Sequence, residues 1–128
     1  MKNKIEAVKD FHKAFKIGYL ESPKADLGQE KNMLRYKLMR EENEEYLDAA
    51  NDNDLVEVAD ALGDMLYILC GTIIEHGMQH KIEEVFNEIQ RSNMSKLGDD
   101  GEPIYREDGK VLKGPNYFKP NIKEILDR

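Results

Sequence analysis

The stretch from residue 41 to residue 64 is unusually rich in carboxylates. It holds ten acids and no lysine or arginine: Glu41, Glu42, Glu44, Glu45, Asp48, Asp52, Asp54, Glu57, Asp60 and Asp64. Like charges at this density repel one another unless water or cations separate them. Most acidic runs are solvated surface. A run whose carboxylates converge can instead bind a cation, so the direction in which the side chains point decides between the two interpretations.

Helical periodicity places several of these acids on shared faces. In a helix over residues 30–50, at ~100° per residue, one face is formed by Leu34, Leu38, Glu42, Glu45 and Ala49. Glu41 lies at the rim of that face and Glu44 points away from it. In the following helix one face carries Glu57, Asp60 and Asp64. The face that should enter the core therefore begins apolar and becomes acidic.

Asp64 is followed directly by the apolar run MLYILCGTII, residues 65–74. This run is apolar nearly all round a helix, which is typical of a buried segment. An ionised carboxylate beside it costs several kcal/mol unless something pairs with it. Carboxylate ligands without histidine or cysteine favour a hard ion, Mg²⁺ or Mn²⁺. The carboxylates that could converge on such an ion are Glu41, Glu42 and Glu45 on the first helix and Glu57, Asp60 and Asp64 on the second.

Length and composition restrict the class of protein. We expect the 128 residues to form a single domain, with a helical core over 1–97, an irregular tail over 98–121 and a short helix over 122–128. The net charge of −7 argues against a nucleic-acid partner. The apolar run is too short to span a membrane, and no apolar leader begins the chain, so we expect a cytoplasmic protein. Cys70 is expected to be a buried thiol.

The remaining periodicity predicts an all-α, antiparallel four-helix bundle-like fold. Helices are expected over about 2–19, 29–50, 54–75 and 80–92, with Asp54 capping the third and Gly77 ending it. The tail is rich in glycine and proline, with a weak hairpin signal between the Asp-Gly pairs at 100–101 and 108–109. A helix that is apolar all round must be buried on every side, which a partner chain can provide, so we expect a homodimer or homotetramer.

Other metal chemistries do not fit the residue types. A di-iron carboxylate bundle requires repeated Glu-x-x-His motifs, and the histidines here are His12, His76 and His80. The EF-hand spacing and a Cys/His zinc cluster are also absent. Clustered carboxylates of this kind suit magnesium-dependent chemistry at phosphorus, in which metal ions bind phosphate oxygens and activate water.

Three stretches of the chain resemble the all-α nucleoside triphosphate pyrophosphohydrolases. They are EENEE, VEVADALGDMLYILCGT and RSNMSKLGDDGEPIYREDGKVLKGPNYFKP. The family includes MazG, phosphoribosyl-ATP pyrophosphohydrolase-like domains and the related dimeric dUTPases, and its motif is EExxE followed by ExxD. The resemblance implies hydrolysis of a (deoxy)nucleoside triphosphate between the α and β phosphates. It also implies that Mg²⁺ is held by Glu42, Glu45, Glu57 and Asp60.

The resemblance further implies catalytic roles for Glu41 and Glu42, with Glu41 as a ligand or as the base that orients water. One departure affects Asp64: MazG proteins read E-L-x-D before the apolar run, where this chain has Ala61-Leu62-Gly63-Asp64. Whether Asp64 is a direct ligand therefore stays open. The candidates to contact the nucleotide are Asn93, Ser95, Lys96 and Lys113, because they carry hydrogen-bonding or cationic groups near turns.

Three alternatives remain at the level of sequence. One is the phosphoribosyl-ATP step of histidine biosynthesis instead of removal of non-standard or excess nucleotides. Another is a non-catalytic helical domain that binds nucleotide or metal for regulation. The third is a helical interaction protein with an acidic face, which does not explain an acid beside the apolar run.

Overall fold

The computed structural model describes all 128 residues, which form five α-helices and no β-strand. The helices are α1 (Lys2–Ala14), α2 (Gln29–Asn51), α3 (Leu55–Glu75), α4 (Ile82–Met94) and α5 (Ile122–Asp127). The all-α prediction is confirmed, and the ends of the second and third helices lie within about one residue of their predicted positions. α1 is shorter than predicted, since it ends at Ala14. No helix is long and apolar enough to cross a membrane.

The chain divides into two compact units, residues 1–80 and residues 81–128. In the first unit, α1 and α2 both pack against α3. The turn from α2 to α3 includes Asn53 at φ 54, a left-handed conformation that asparagine tolerates better than most residues. Asp54 then caps α3 by accepting a hydrogen bond from the backbone N–H of Glu57 at 3.2 Å. The predicted cap is therefore confirmed, and it starts the helix that carries Asp60 and Asp64.

Only two residues of α2 are fully buried, Arg35 and Ala49. The prediction for Leu34 was wrong, because its side chain is 52% exposed while Arg35 lies inside. Periodicity ranks the leucine above the arginine as a core residue. In the folded unit the arginine has a buried acidic partner, Glu75, which makes its burial possible.

The connection from α1 to α2 runs along the C-terminal end of α3. The backbone N–H of Leu20 donates to the carbonyl of Ile74 at 3.0 Å, and that of Lys24 donates to the carbonyl of His76 at 2.9 Å. Gly77 ends the helix at φ 68, and a Cβ there would lie 2.1 Å from the carbonyl oxygen of Ser22. Glycine is thus required both by the left-handed backbone and by the close approach of the connecting segment.

In the second unit the tail folds back onto the end of α4. The Ser92 hydroxyl donates to the carbonyl of Phe118 at 2.8 Å, and the N–H of Phe118 donates to the Ser95 hydroxyl at 3.1 Å. Further along, an isolated antiparallel bridge pairs Tyr105 with Val111. The weak hairpin signal therefore corresponds to one short hairpin around the second Asp-Gly pair.

Candidate metal and active site

Glu42 is the centre of a group of carboxylates between α2 and α3. Its side chain is half-buried, and its Oε2 atom is buried without a hydrogen-bond partner. Burial, a hydrogen-bonding contact with Glu45, and the charges of Glu45, Asp64 and Asp60 raise the pKa of Glu42 to about 7. The fold therefore brings these four carboxylates, two from each helix, within electrostatic range of one another; we call them the acid cluster.

The acid cluster has no positively charged partner in the structure. None of the ion pairs of the protein includes Glu42, Glu45, Asp60 or Asp64. By contrast, Glu44 on the outer side of α2 pairs with Arg40 at 3.3 Å. Glu42 and Asp64 are half-buried, whereas Glu45 and Asp60 are exposed, so the prediction that Glu45 lies on the core face of α2 was wrong. Carboxylates grouped in this way without a counterion repel one another unless a cation binds from solution.

The donor chemistry of the acid cluster fits a hard divalent cation. All four groups are carboxylates, which is the ligand type that Mg²⁺ and Mn²⁺ prefer. The unpartnered Oε2 of Glu42 is a buried oxygen that a cation would satisfy. No three acidic, histidine or cysteine side chains meet at the distances of a formed metal site. Closing around one ion therefore requires these side chains to rotate.

The two other predicted acids lie on the same helices. Glu41 precedes Glu42 on α2, and Glu57 lies one turn before Asp60 on α3. Both side chains are exposed. Their exposure leaves them free to accept a proton or to coordinate an ion from the solvent side.

The predicted nucleotide-contacting residues all lie in the second unit. Asn93 is exposed in the last turn of α4, and Lys96 is half-buried just beyond it. The Ser95 hydroxyl is already engaged, since it donates to the carbonyl of Ser92 at 2.5 Å and accepts from the tail backbone. The Lys113 ammonium lies 4.7 Å from the centre of the Tyr117 ring. Ser95 thus has a structural role in holding the tail, whereas Asn93 has a free side chain.

A buried ionic network near the acid cluster was missed at the level of sequence. Arg35 on α2 pairs with Glu75 on α3 at 3.2 Å, and Lys31 pairs with the same carboxylate at 3.3 Å. Burial lowers the pKa of the Arg35 guanidinium, and the charge of Glu75 opposes this shift. The available sequence signal was Gly71, a glycine inside an apolar helix, which commonly marks a close approach of another element.

A family model and a similar solved structure identify the class of protein to which the chain belongs. The chain belongs to the phosphoribosyl-ATP pyrophosphohydrolase (PRA-PH) family, whose model matches residues 8–93. It is similar in structure to a protein from Exiguobacterium sp. 255-15 described as a candidate NTP pyrophosphohydrolase, with a TM-score of 0.55 and 26% identity over 98% of this chain and 95% of that chain. No curated protein is significantly similar to it in sequence.

These findings confirm the resemblance to the MazG-like, all-α NTP pyrophosphohydrolase superfamily. The family match covers α2 and α3 completely, and with them the acid cluster. The protein is therefore an enzyme of the pyrophosphohydrolase class.

Proposed function

We propose that this enzyme hydrolyses a (deoxy)nucleoside triphosphate between the α and β phosphates, releasing the nucleoside monophosphate and pyrophosphate, with Mg²⁺ as cofactor. The observation that carries this proposal is the acid cluster, which groups four carboxylates around Glu42 without a counterion in a chain of the pyrophosphohydrolase class. The similar Exiguobacterium protein, described as a candidate NTP pyrophosphohydrolase, supports a triphosphate substrate. The proposed role is removal of non-standard or excess nucleotides.

The Mg²⁺ would be held by the acid cluster, that is by Glu42, Glu45, Asp60 and Asp64. Glu57, one turn before Asp60 on α3, is available as a further ligand, and Mn²⁺ could take the place of Mg²⁺. Bound Mg²⁺ neutralises phosphate charge and lowers the pKa of water, which is the chemistry that hydrolysis of a phosphoanhydride needs. Asp64 is included because its charge acts on Glu42 together with that of Asp60.

The other predicted site residues act on water or on the substrate, except Ser95, which acts through the tail. Glu41, exposed beside the acid cluster, accepts the proton of the attacking water. Asn93 and Lys96 donate hydrogen bonds to sugar or phosphate oxygens, and Lys113 adds a second positive charge. Ser95 contributes by holding the tail against α4 through the backbone of Phe118.

The enzyme acts as a homodimer through the outer face of α3. The exposed residues Leu55, Ala59, Leu62, Leu66 and Leu69 follow alternating spacings of four and three along that helix. This spacing is the repeat of a helix that packs along another helix. Leu55 is 80% exposed and Leu62 is 50% exposed, so a second copy would cover a continuous apolar strip.

The test is pyrophosphate release from a panel of canonical and modified (deoxy)nucleoside triphosphates, with phosphoribosyl-ATP included, in Mg²⁺ and in EDTA. Metal-dependent pyrophosphate and monophosphate from a nucleoside triphosphate are the expected products. Turnover of phosphoribosyl-ATP alone would favour the step of histidine biosynthesis, which the name of the family supports. Release of single phosphate would contradict the proposed position of cleavage.

A second measurement separates an enzyme from a regulatory binding domain. Glu57→Gln is expected to abolish turnover while the circular dichroism spectrum and melting temperature stay close to those of the wild type. Glu44→Gln is the matched control, because Glu44 belongs to the same acidic stretch but pairs outward with Arg40. Equal turnover in both variants would argue against a catalytic role for Glu57.

A further inference from the structure

Arg35 contacts α3 over two helical turns. Its Nη2 donates to the backbone carbonyl of Ile68 at 2.9 Å, and its Nε donates to the Thr72 hydroxyl at 3.0 Å. Its Nε also lies 3.2 Å from Oε2 of Glu75. A single planar guanidinium thus binds α3 at three points, so its position along the axis of that helix is tightly defined.

The same two helices carry the acid cluster two turns further on. Glu42 follows Arg35 by seven residues on α2, which places it on the same face about 10 Å along the axis. On α3, Asp64 precedes Ile68 by one turn and Asp60 precedes it by two. Any sliding of α2 along α3 at Arg35 therefore moves Glu42 relative to both aspartates.

Between Arg35 and Ala49, α2 packs on α3 with residues that are only partly buried, among them Leu38 and Met39. Arg35 and Ala49 are its only buried residues, and Ala49 lies close to the turn into α3. Between them, the helix presents Glu42 and Glu45 to carboxylates on α3, which repel it. The side-chain hydrogen bonds that join α2 to α3 are both made by Arg35, and the ion pairs between these helices are those of Arg35 and Lys31 with Glu75.

We propose that Arg35 is a positioning residue for the acid cluster: it holds α2 and α3 in the register that places their carboxylates together for a divalent cation. This inference rests on the proposed metal-dependent function. Arg35 acts through Glu42 and Glu45 and contacts neither the ion nor the substrate. The contacts with Ile68 and Thr72 set the register, and Glu75 supplies the counterion that allows burial.

Gly71 offers a way to move the guanidinium without changing any charge. A Cβ at this position would lie 2.7 Å from Nη2 of Arg35 and 2.9 Å from Nε2 of His12. Gly71→Ala therefore displaces Arg35 from the carbonyl of Ile68. Gly63→Ala is the matched control on the same helix, because a Cβ there meets nothing within 4 Å.

The experiment measures Mn²⁺ binding to the full-length protein by electron paramagnetic resonance of the free ion, at a temperature well below every melting transition. Thr72→Val removes one acceptor of Arg35 at nearly constant volume and is expected to weaken Mn²⁺ binding about threefold to tenfold. Gly71→Ala is expected to weaken it about tenfold or more. Gly63→Ala and Ile74→Val, the latter a buried change outside the Arg35 contacts, are expected to bind as the wild type does.

Each outcome decides the proposal. Wild-type affinity in Thr72→Val overturns it, even if Gly71→Ala fails to fold. Weakening of Mn²⁺ binding by Ile74→Val equal to that in Thr72→Val also overturns it, because general loss of stability would then explain the effect. If the wild type itself binds no Mn²⁺, the proposed metal site fails, and the inference about Arg35 fails with it.

Discussion

Arg35 and Glu75 form an ion pair inside the helical unit, with Nε and Oε2 separated by 3.2 Å and both side chains almost completely buried. Lys31 contacts the same carboxylate from the solvent side at 3.3 Å. A buried pair of this kind recovers the cost of desolvation only through good geometry and further hydrogen bonds. Here Arg35 donates its hydrogen bonds to Ile68 and Thr72 of α3, whereas the two Glu75 oxygens accept no hydrogen bond and are held by charge alone. The pair joins α2 to α3.

Removing the acidic partner should destabilise the protein strongly. Glu75→Gln leaves the Arg35 guanidinium buried beside a neutral side chain, and we expect the free energy of unfolding to fall by about 3–5 kcal/mol. Urea unfolding measures this change. Glu44→Gln, which breaks only the exposed pair with Arg40, is expected to cost about 0–1 kcal/mol. Similar effects of the two substitutions would contradict an essential buried pair.

The raised pKa of Glu42 predicts a stability that depends on pH in the metal-free protein. The native state keeps a proton on Glu42 up to about pH 7, whereas the unfolded chain releases it near the ordinary glutamate pKa of 4.5. Between these values the native state binds more protons, so stability falls as pH rises. In EDTA, the melting temperature of the wild type should therefore fall more steeply from pH 5 to pH 8 than that of Glu42→Gln. Parallel curves would contradict the raised pKa.

Divalent cations should stabilise the protein. Because a cation relieves repulsion among the four carboxylates only in the folded state, Mg²⁺ should raise the melting temperature above its value in EDTA. At a Mg²⁺ concentration of 100 times the dissociation constant, the gain is about 2.7 kcal/mol. Differential scanning fluorimetry measures it, with Asp60→Asn as the variant that should lose the response and Glu44→Gln as the control that should keep it. A wild-type melting temperature that is the same in Mg²⁺ and EDTA would count against the site.

The lysines of the second unit should affect substrate binding. We expect Lys96→Ala and Lys113→Ala each to raise KM about tenfold with a smaller change in kcat, because a charge that binds the substrate phosphates acts in ground state and transition state alike. Steady-state kinetics at fixed Mg²⁺ measures this. Lys123→Ala is the control, since Lys123 forms an exposed pair with Asp127. Unchanged KM in both test variants would leave these lysines without a role in binding.

A charged side chain in the exposed apolar strip of α3 should disrupt the proposed dimer. Leu69→Glu introduces a carboxylate at an exposed position of the strip. Leu69 lies more than one turn beyond Asp64 on α3, outside the acid cluster. Sedimentation equilibrium should show a monomer for this variant and a dimer for the wild type. Leu126→Glu, at a comparably exposed leucine on α5, should leave the mass unchanged. A monomeric wild type would contradict the proposal directly.

Local signals in the sequence predicted most of the secondary structure. Asp54 caps the start of α3 and Gly77 follows its end. Both residues act on the backbone next to them in sequence, so the limits of α3 could be predicted from the sequence alone. The predicted end of α1, near residue 19, was wrong: the helix ends at Ala14, and Lys16 takes a left-handed conformation at φ 57 that its residue type does not predict. Element boundaries without a glycine, proline or cap are the hardest to place from sequence.

The sequence by itself determined the all-α class and the two acid-bearing helices, since these follow from periodicity and residue type over a few turns. It also predicted a carboxylate site for a divalent cation, which stays a prediction. Only the tertiary structure decided which face of α2 is buried, because exposing Leu34 and burying Arg35 depends on Glu75, far along the chain on another helix. It also decided that Glu42, Glu45, Asp60 and Asp64 act on one another, because the distance between charges on two helices depends on their register. Pairing between distant residues sets that register, and helical periodicity carries no information about it.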